Sequence, residues 1–131
     1  MAEEVDLSNK DVLLVDDDND ILTAIEAAVS ELGVSIRTTG NGNAAVDMIQ
    51  EKVHDLLILD QMLPGRSGFL VLEKIRNIRK EQGKPPVIMI TANPGQRHKI
   101  YAETLGVDVY INKPFRMDKL INAARDLLSK E

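Results

Sequence analysis

The stretch LILDQMLPG, residues 57–65, runs an apolar segment into the carboxylate of Asp60 and is then broken by Pro64 and Gly65. An apolar run of this length that ends in turn residues is typical of a buried strand. A carboxylate at the end of such a strand requires a physical reason, because burying an unpaired charge is costly. The rest of the sequence indicates what that reason is.

Five segments have the length and composition of strands, and helical patterns separate them. They are VLLV (12–15), VSIRTT (34–39), LLIL (56–59), VIMI (87–90) and, more weakly, VDVYI (107–111). Alternation of strands with helices predicts an α/β fold built on one parallel, doubly wound sheet. Strands covered on both faces are continuously apolar, so VLLV, LLIL and VIMI are predicted to be central and the other two to be edges.

Five helices are predicted from apolar residues at helical spacing. They lie at 19–32, at about 43–52, from Phe69 through Ile78 to a stop at Gly83 and Pro85-Pro86, at about 94–105, and from Leu120 to the chain end. Asp18 is the expected N-cap of the first helix and Gly33 its stop. The fourth helix has the weakest pattern because QRHK dilutes its apolar face.

Length and composition exclude several classes of protein. With 131 residues, 44% of them apolar and 28% charged, the chain fits one globular domain, expected at 10–131 after a tail at 1–9. It has no cysteine for disulfides or thiolate metal sites, and no apolar run long enough for a membrane helix. The polar start without a secretory signal predicts a cytoplasmic protein, and the net charge of -5 predicts no direct nucleic-acid binding.

Polar residues follow the predicted strands at their carboxyl ends. Parallel strands joined by right-handed crossovers place all of these ends at one edge of the sheet, where open α/β folds bind ligands. The residues expected to meet at this edge are Asp16, Asp17, Asp60, Thr91 and Lys113.

Three carboxylates this close repel one another, so a cation is expected among them. Lys113 supplies one positive charge, and Mg²⁺ would supply two while keeping positions for water and a phosphate oxygen. An aspartate can attack phosphorus as a nucleophile, and Asp60 is the best placed of the three. The metal, the Lys113 ammonium and the Thr91 hydroxyl would then stabilise charge on the phosphoryl oxygens.

Four motifs in order identify a family that the chain resembles. They are VLLVDDDND (12–20), DQMLPGRSGF (60–69), ITA (90–92) and YINKPF (110–115). From about Lys10 to its end the chain resembles the receiver domain of two-component response regulators. The resemblance implies a flavodoxin-like (βα)5 fold with strand order 2-1-3-4-5. Pro64 and Gly68 match the structural Pro and Gly that follow the phosphorylated Asp in that family.

The resemblance also implies the roles of the acidic residues. Asp60 would be the phosphoacceptor, and Asp17 and Asp60 would bind Mg²⁺ together with the backbone carbonyl of Met62. Asp16 would act on the metal mainly through water.

Further roles are implied at the fourth and fifth strands. Lys113, before a cis peptide bond to Pro114, would contact the phosphoryl oxygens. Thr91 would move to hydrogen-bond the phosphoryl group, beside the small Ala92 that leaves access to it. Tyr110 matches the aromatic switch residue that turns inward when the Thr moves.

Three positions vary within the family. Gln61 stands where an apolar residue is common, and Met62 and Asn93 stand where side chains tune dephosphorylation. Because Met62 offers no polar group to position water, hydrolysis is expected to be slower than in a receiver with amides at both places, and Met62→Asn is expected to accelerate it.

The implied partners are a sensor histidine kinase or a histidine phosphotransfer protein that donates the phosphoryl group. A downstream target protein or a detached output domain would bind the face made by the fourth helix, fifth strand and fifth helix. The same face could instead form a homodimer. The sequence does not distinguish a stand-alone regulator from a receiver cut from a longer chain.

Other classes fit less well. Asp16-x-Asp18 resembles the acidic pair of haloacid-dehalogenase-like phosphatases, but the only aspartates after Lys113 are Asp118 and Asp126, both on the final helix. A receiver-like scaffold that is never phosphorylated has no electrostatic reason to crowd carboxylates. An EF-hand starting at Asp16 would need Gly where Ile21 stands.

Two histidines need an assignment as well. His54 and His98 have no partner at metal-ligand spacing in the sequence. Both are therefore predicted to be surface residues.

Overall fold

Five parallel strands form one sheet in the computed structural model, which describes residues 6–63, 67–92 and 95–130. The strands are β1 (Asp11–Val15), β2 (Ser35–Thr39), β3 (Leu56–Asp60), β4 (Val87–Thr91) and β5 (Val109–Asn112). Their order across the sheet is β2-β1-β3-β4-β5, which confirms the predicted fold. Every residue of β3 and β4 is buried, whereas β2 and β5 are partly exposed, as expected for central and edge strands.

Six helices connect or follow the strands. They are α1 (Asn19–Ser30), α2 (Gly42–Glu51), α3 (Gly68–Lys74), α4 (Arg76–Gln82), α5 (Gln96–Thr104) and α6 (Met117–Ser129). Asp18 caps α1 as predicted, since its Oδ1 accepts hydrogen bonds from the backbone N–H groups of Asp20 and Ile21.

The prediction of one helix from Phe69 through Ile78 was wrong, because that segment is divided into α3 and α4 at Ile75. Ile75 has φ −96° and ψ 8°, outside the helical region. Hydrogen bonds still cross the junction, from the Ile75 N–H to the Val71 oxygen and from the Arg79 N–H to the Ile75 oxygen. The distortion is therefore local, and the apolar spacing that predicted the helix runs through it without interruption.

The core lies on both faces of the sheet. Helices α1 and α6 cover one face, and α2, α3 and α5 contribute buried residues to the other. Their buried side chains include Ile25, Val29, Leu120, Ala124 and Leu128 on the first face, and Ala45, Ile49, Val71, Leu72 and Ala102 on the second. Burying a side chain such as Leu or Ile stabilises the fold by about 1.5–3 kcal/mol. Leu7, within the predicted tail, is also buried in the first cluster.

Helix α5 has a shallow attachment to the sheet. Of its nine residues, all of which the structure describes, Ala102 is the buried one. Phe69 of α3 adds an outer contact, because its ring stacks on His98 at 5.9 Å and meets Tyr101 edge-on at 5.0 Å. The dilute apolar pattern of this helix in the sequence thus corresponds to a shallow attachment.

The prediction that His54 lies at the surface was wrong. Its side chain is fully buried just before β3. Burial, followed by the nearby charge of Arg37, lowers the pKa of the imidazole, so the neutral form is favoured in the folded protein. His98 is half-buried against Phe69.

Within the described residues, none of the helices has the length and apolar character needed to cross a bilayer.

Candidate functional site

Three aspartates converge at the carboxyl edge of the sheet. Asp16 and Asp17 follow β1, and Asp60 is the last residue of β3. Each offers a carboxylate oxygen, and these oxygens lie within 4.8 Å of one another. Asp16 and Asp60 are buried while Asp17 is exposed. The meeting of residues from two strands that are neighbours in the sheet was predicted from topology alone.

Lys113 is the cation of this cluster. It directly follows β5, and its backbone N–H donates to the Thr91 oxygen at 2.7 Å. Its Nζ lies 3.3 Å from Asp16 Oδ2 and 3.6 Å from Asp60 Oδ2. The peptide bond from Lys113 to Pro114 is cis, as the resemblance implies. One ammonium therefore pairs with two of the three carboxylates in the cluster.

The electrostatics of Asp60 reflect this shortage of positive charge. Burial and then the neighbouring Asp16 raise the pKa of the Asp60 carboxyl from 3.8 to about 6, against the opposing effects of Lys113 and the Met62 N–H. The Met62 N–H donates to Asp60 Oδ1 at 3.3 Å. The ionised form of Asp60 is therefore unfavourable in the folded protein, and a further cation beside it would stabilise that form.

A hard divalent cation fits the residues present. Mg²⁺ prefers carboxylate oxygens and keeps waters in its coordination shell, and the cluster supplies three such carboxylates with an excess of negative charge. The cluster borders an open cleft of about 620 Å³, which leaves space for water and for a further ligand. Met62 contacts Asp60 through its backbone N–H. The metal-binding role of the Met62 carbonyl therefore stays a prediction.

The cleft brings several predicted residues together. Its lining comprises Asp17, Asp18, Asp60, Gln61, Met62, Leu63, Ser67, Ala92 and Lys113. Ala92 is exposed at the mouth, in keeping with the expectation that a small side chain leaves access here. Pro64 and Asn93, for which structural and rate-tuning roles were predicted, lie outside the described residues.

Thr91 lies behind the acidic cluster and is fully buried at the end of β4. Its hydroxyl donates a hydrogen bond of 2.5 Å to Oε1 of Gln61, whose side chain is also buried. The sequence did not predict this pair. The one indication in the sequence was that Gln61, a polar residue, directly follows the buried strand β3.

Tyr110 lies on β5 beside Met89 of β4. The residue is half-buried and its hydroxyl oxygen is buried. Burial raises the pKa of the Tyr110 hydroxyl, and the neighbouring Thr91 side chain offsets part of that increase. The two predicted switch residues are therefore neighbours.

Gly68 packs closely against the end of β3. Its N–H donates to the Gln61 oxygen at 2.8 Å. A Cβ at this position would lie 2.7 Å from the Asp60 oxygen and 2.9 Å from the Gln61 Cα, both backbone atoms that cannot move aside easily. Any larger residue would therefore displace the strand end that carries Asp60.

Comparison with known proteins adds independent information. The family model for the response regulator receiver domain matches residues 12–125. The receiver domain of Francisella response regulator 1452 is similar, with 31% identity, a TM-score of 0.81, and coverage of 92% of this chain and 97% of that chain. The receiver domain of NtrX from Brucella abortus has 30% identity, a TM-score of 0.79, and coverage of 92% and 99%.

A further similar structure was determined in an activated state. It is the BeF3-activated N-terminal receiver domain of Klebsiella pneumoniae RstA, with 26% identity, a TM-score of 0.78, and coverage of 92% of this chain and 99% of that chain.

Proposed function

Because this chain belongs to the response regulator receiver domain family, we propose that it is a phosphorylation-activated switch of a two-component or phosphorelay system, with Asp60 as phosphoacceptor. One observation carries the proposal. Asp60 is a buried carboxylate at a strand end, beside a cleft, and it shares Lys113 with Asp16 in a cluster that also holds the Asp17 carboxylate. Such a site has room and charge for a phosphoryl group and a divalent cation.

The proposed reaction is in-line transfer from a phosphohistidine of a sensor histidine kinase or a histidine phosphotransfer protein. A carboxylate oxygen of Asp60 attacks phosphorus, and the P–N bond breaks with its electron pair remaining on the ring nitrogen. The leaving group is a neutral imidazole, because the other ring nitrogen of the phosphohistidine carries a proton. The Lys113 ammonium stabilises charge on the phosphoryl oxygens. Water later attacks the acyl phosphate and releases inorganic phosphate. The chain thus catalyses only its own phosphorylation and dephosphorylation and does not turn over a separate substrate.

Asp17, Asp60 and the backbone carbonyl of Met62 would hold Mg²⁺, with Asp16 acting through water. When bound, the metal would offset negative charge on the phosphoryl oxygens. The exposed Met62 side chain has no group to orient water, which supports slow hydrolysis as a further part of the proposal.

Phosphorylation would be relayed by Thr91 and Tyr110. A phosphoryl group on Asp60 adds charge and strong acceptors beside the Thr91 hydroxyl. Strand β5, with Tyr110, lies between α5 and α6 in the chain. We therefore assign the output face to α5, β5 and α6, which would contact a target protein, a detached output domain or a second copy of the chain.

The phosphatase alternative gains no support from the described residues. The Asp18 carboxylate is used to cap α1. Asp118, one of the two aspartates after Lys113, is exposed on α6 and lies 3.4 Å from the Arg116 guanidinium. The silent-scaffold alternative is decided by the experiment below.

The proposal is tested by treating the protein with acetyl phosphate, with and without Mg²⁺, and measuring intact mass. We expect addition of one phosphoryl group that requires Mg²⁺ and is removed by hydroxylamine. Asp60→Asn is expected to abolish the addition. Asp47→Asn, at an exposed position of α2, is the matched control and should behave like the unsubstituted protein. An unchanged mass under all conditions, or phosphorylation of Asp60→Asn, would contradict the proposal.

A further inference from the structure

We propose that Gln61 is a competing hydrogen-bond acceptor that holds the Thr91 hydroxyl in the unphosphorylated protein and so sets how readily the site switches. The inference rests on the proposed function, since it concerns the response of Thr91 to a phosphoryl group on Asp60. It assigns a role to a residue that neither the acidic cluster nor the lysine requires.

The contact between the two side chains is short and buried. The Thr91 hydroxyl donates to Gln61 Oε1 at 2.5 Å, with Thr91 0% and Gln61 7% exposed. Little water reaches this pair, so the hydrogen bond has little competition from solvent. The hydrogen bond therefore contributes more than one between exposed side chains would.

The backbone fixes Gln61 in this position from two sides. Its N–H donates to the Ile90 oxygen at 2.9 Å, which extends the pairing of β3 with β4 by one residue. Its oxygen accepts from the Gly68 N–H at 2.8 Å. The side chain of Gln61 is therefore directed at Thr91 by main-chain contacts and is not a freely placed surface amide.

The sheet geometry separates this pair from the acceptor carboxylate. Side chains alternate between the faces of a strand, and Leu57 and Leu59 of β3 pack in the cluster covered by α2, α3 and α5. Gln61 continues that face, as Thr91 does after Met89 on β4. Asp60, one residue earlier, is directed out of this row and toward the acidic cluster.

The competition follows from the chemistry of the hydroxyl. A threonine hydroxyl has one hydrogen to donate. If it donates to a phosphoryl oxygen on Asp60, the bond to Gln61 Oε1 is lost, and a buried acceptor without its donor is unfavourable. An apolar residue at position 61 would carry no such penalty. Gln61 thus biases the protein toward its unphosphorylated conformation.

The test measures binding of beryllofluoride, a phosphoryl mimic, in the presence of Mg²⁺. All variants carry Tyr101→Phe, which leaves Tyr110 as the fluorescent tyrosine in a chain with two tyrosines and no tryptophan. We expect Gln61→Met to lower the half-saturating beryllofluoride concentration about tenfold. Gln50→Met, the same substitution at an exposed position of α2, should leave that concentration unchanged.

Two further variants separate this role from a merely structural one. Gln61→Leu should act in the same direction as Gln61→Met and serves in its place if the latter fails to fold. In a Thr91→Val background, Gln61→Met should have no effect, because the donor is gone. A purely structural role would shift the denaturation midpoint and leave the half-saturating concentration where it was.

The outcomes distinguish the inference from the function on which it rests. If the unsubstituted protein gains a phosphoryl group but both Gln61 variants bind beryllofluoride no more tightly, the role of Gln61 is overturned and the proposed function stands. If the unsubstituted protein gains no phosphoryl group with acetyl phosphate and Mg²⁺, both are overturned.

Discussion

Aspartates at the two edges of the sheet differ in how they are paired with cations. At the amino edge, each of three aspartates has a cation of its own. The pairs are Asp11–Lys52 at 2.8 Å, Asp55–Lys84 at 3.1 Å and Asp108–Arg79 at 3.2 Å. At the carboxyl edge, Lys113 pairs with both Asp16 and Asp60, and Asp17 adds a third carboxylate to the same cluster.

Backbone N–H groups reinforce the difference. Asp55 Oδ2 accepts from the Asp11 N–H at 2.8 Å, and Asp108 Oδ2 accepts from the Val87 N–H at 2.7 Å. Although burial opposes it, the hydrogen bond from Asp11 and the nearby Lys84 lower the pKa of Asp55. The pKa of Asp60 is instead raised to about 6. One edge uses charge to stabilise the fold, and the other retains a repulsion that a ligand can relieve.

The largest effect is expected at the amino edge, from Arg79→Met. The Arg79 guanidinium donates to the oxygens of Pro85, Leu105 and Gly106 and to Asp108 Oδ2, and the side chain is 18% exposed. Losing these bonds and leaving their acceptors unpaired should reduce the free energy of unfolding by about 3 kcal/mol. Urea denaturation measures it.

Arg76→Met is the control for that change, because Arg76 lies on the same helix and is exposed. We expect a change within about 0.5 kcal/mol there. Equal effects of the two substitutions would show that Arg79 has no special role in joining α4 to the strand ends.

The same substitution at the two edges should change stability in opposite directions. Without divalent cations at neutral pH, Asp60→Asn removes a repelled carboxylate and should raise the free energy of unfolding by about 1–2 kcal/mol. Asp55→Asn removes a paired carboxylate and should lower it by about 1–2 kcal/mol. Thermal and urea unfolding of both variants under matched conditions provide the comparison. Changes of the same sign would contradict the contrast between the edges.

A smaller effect is expected from pH. The pKa of Asp60 is higher in the folded protein than its usual 3.8, so its destabilisation is complete above about 6 and is lost as pH falls toward 3.8. The stability advantage of Asp60→Asn should therefore shrink as pH falls through that window. The deficit of Asp55→Asn should persist over the same range, because the pKa of Asp55 is lowered. Unfolding curves at a series of pH values measure both trends.

Much of the architecture was predictable because a strand that is buried on both faces consists of consecutive apolar residues. Residues 56–59 and 87–90 are continuously apolar, and both segments are central strands. The break at Ile75 and the burial of His54 were not predictable. The first leaves the apolar spacing intact, and the second depends on how neighbouring segments pack around one imidazole.

The candidate site was predictable to the extent that topology determines it. Because the strands are parallel, Asp16, Asp60 and Lys113 lie at the same edge of the sheet, whichever rotamers their side chains adopt. The hydrogen bond between Thr91 and Gln61 depends instead on side-chain conformations of residues from different strands. Sequence spacing has no information about such a contact until the register of β3 against β4 is known.

The shallow attachment of α5 has an evolutionary consequence. With Ala102 as its buried residue, most positions of this helix can be substituted at little cost to folding. The buried residues of α1 and α6 have no such freedom. Natural selection at most α5 positions therefore acts mainly on what the helix surface touches. Descendants of this chain can diverge in recognition there while the core of the sheet is inherited unchanged.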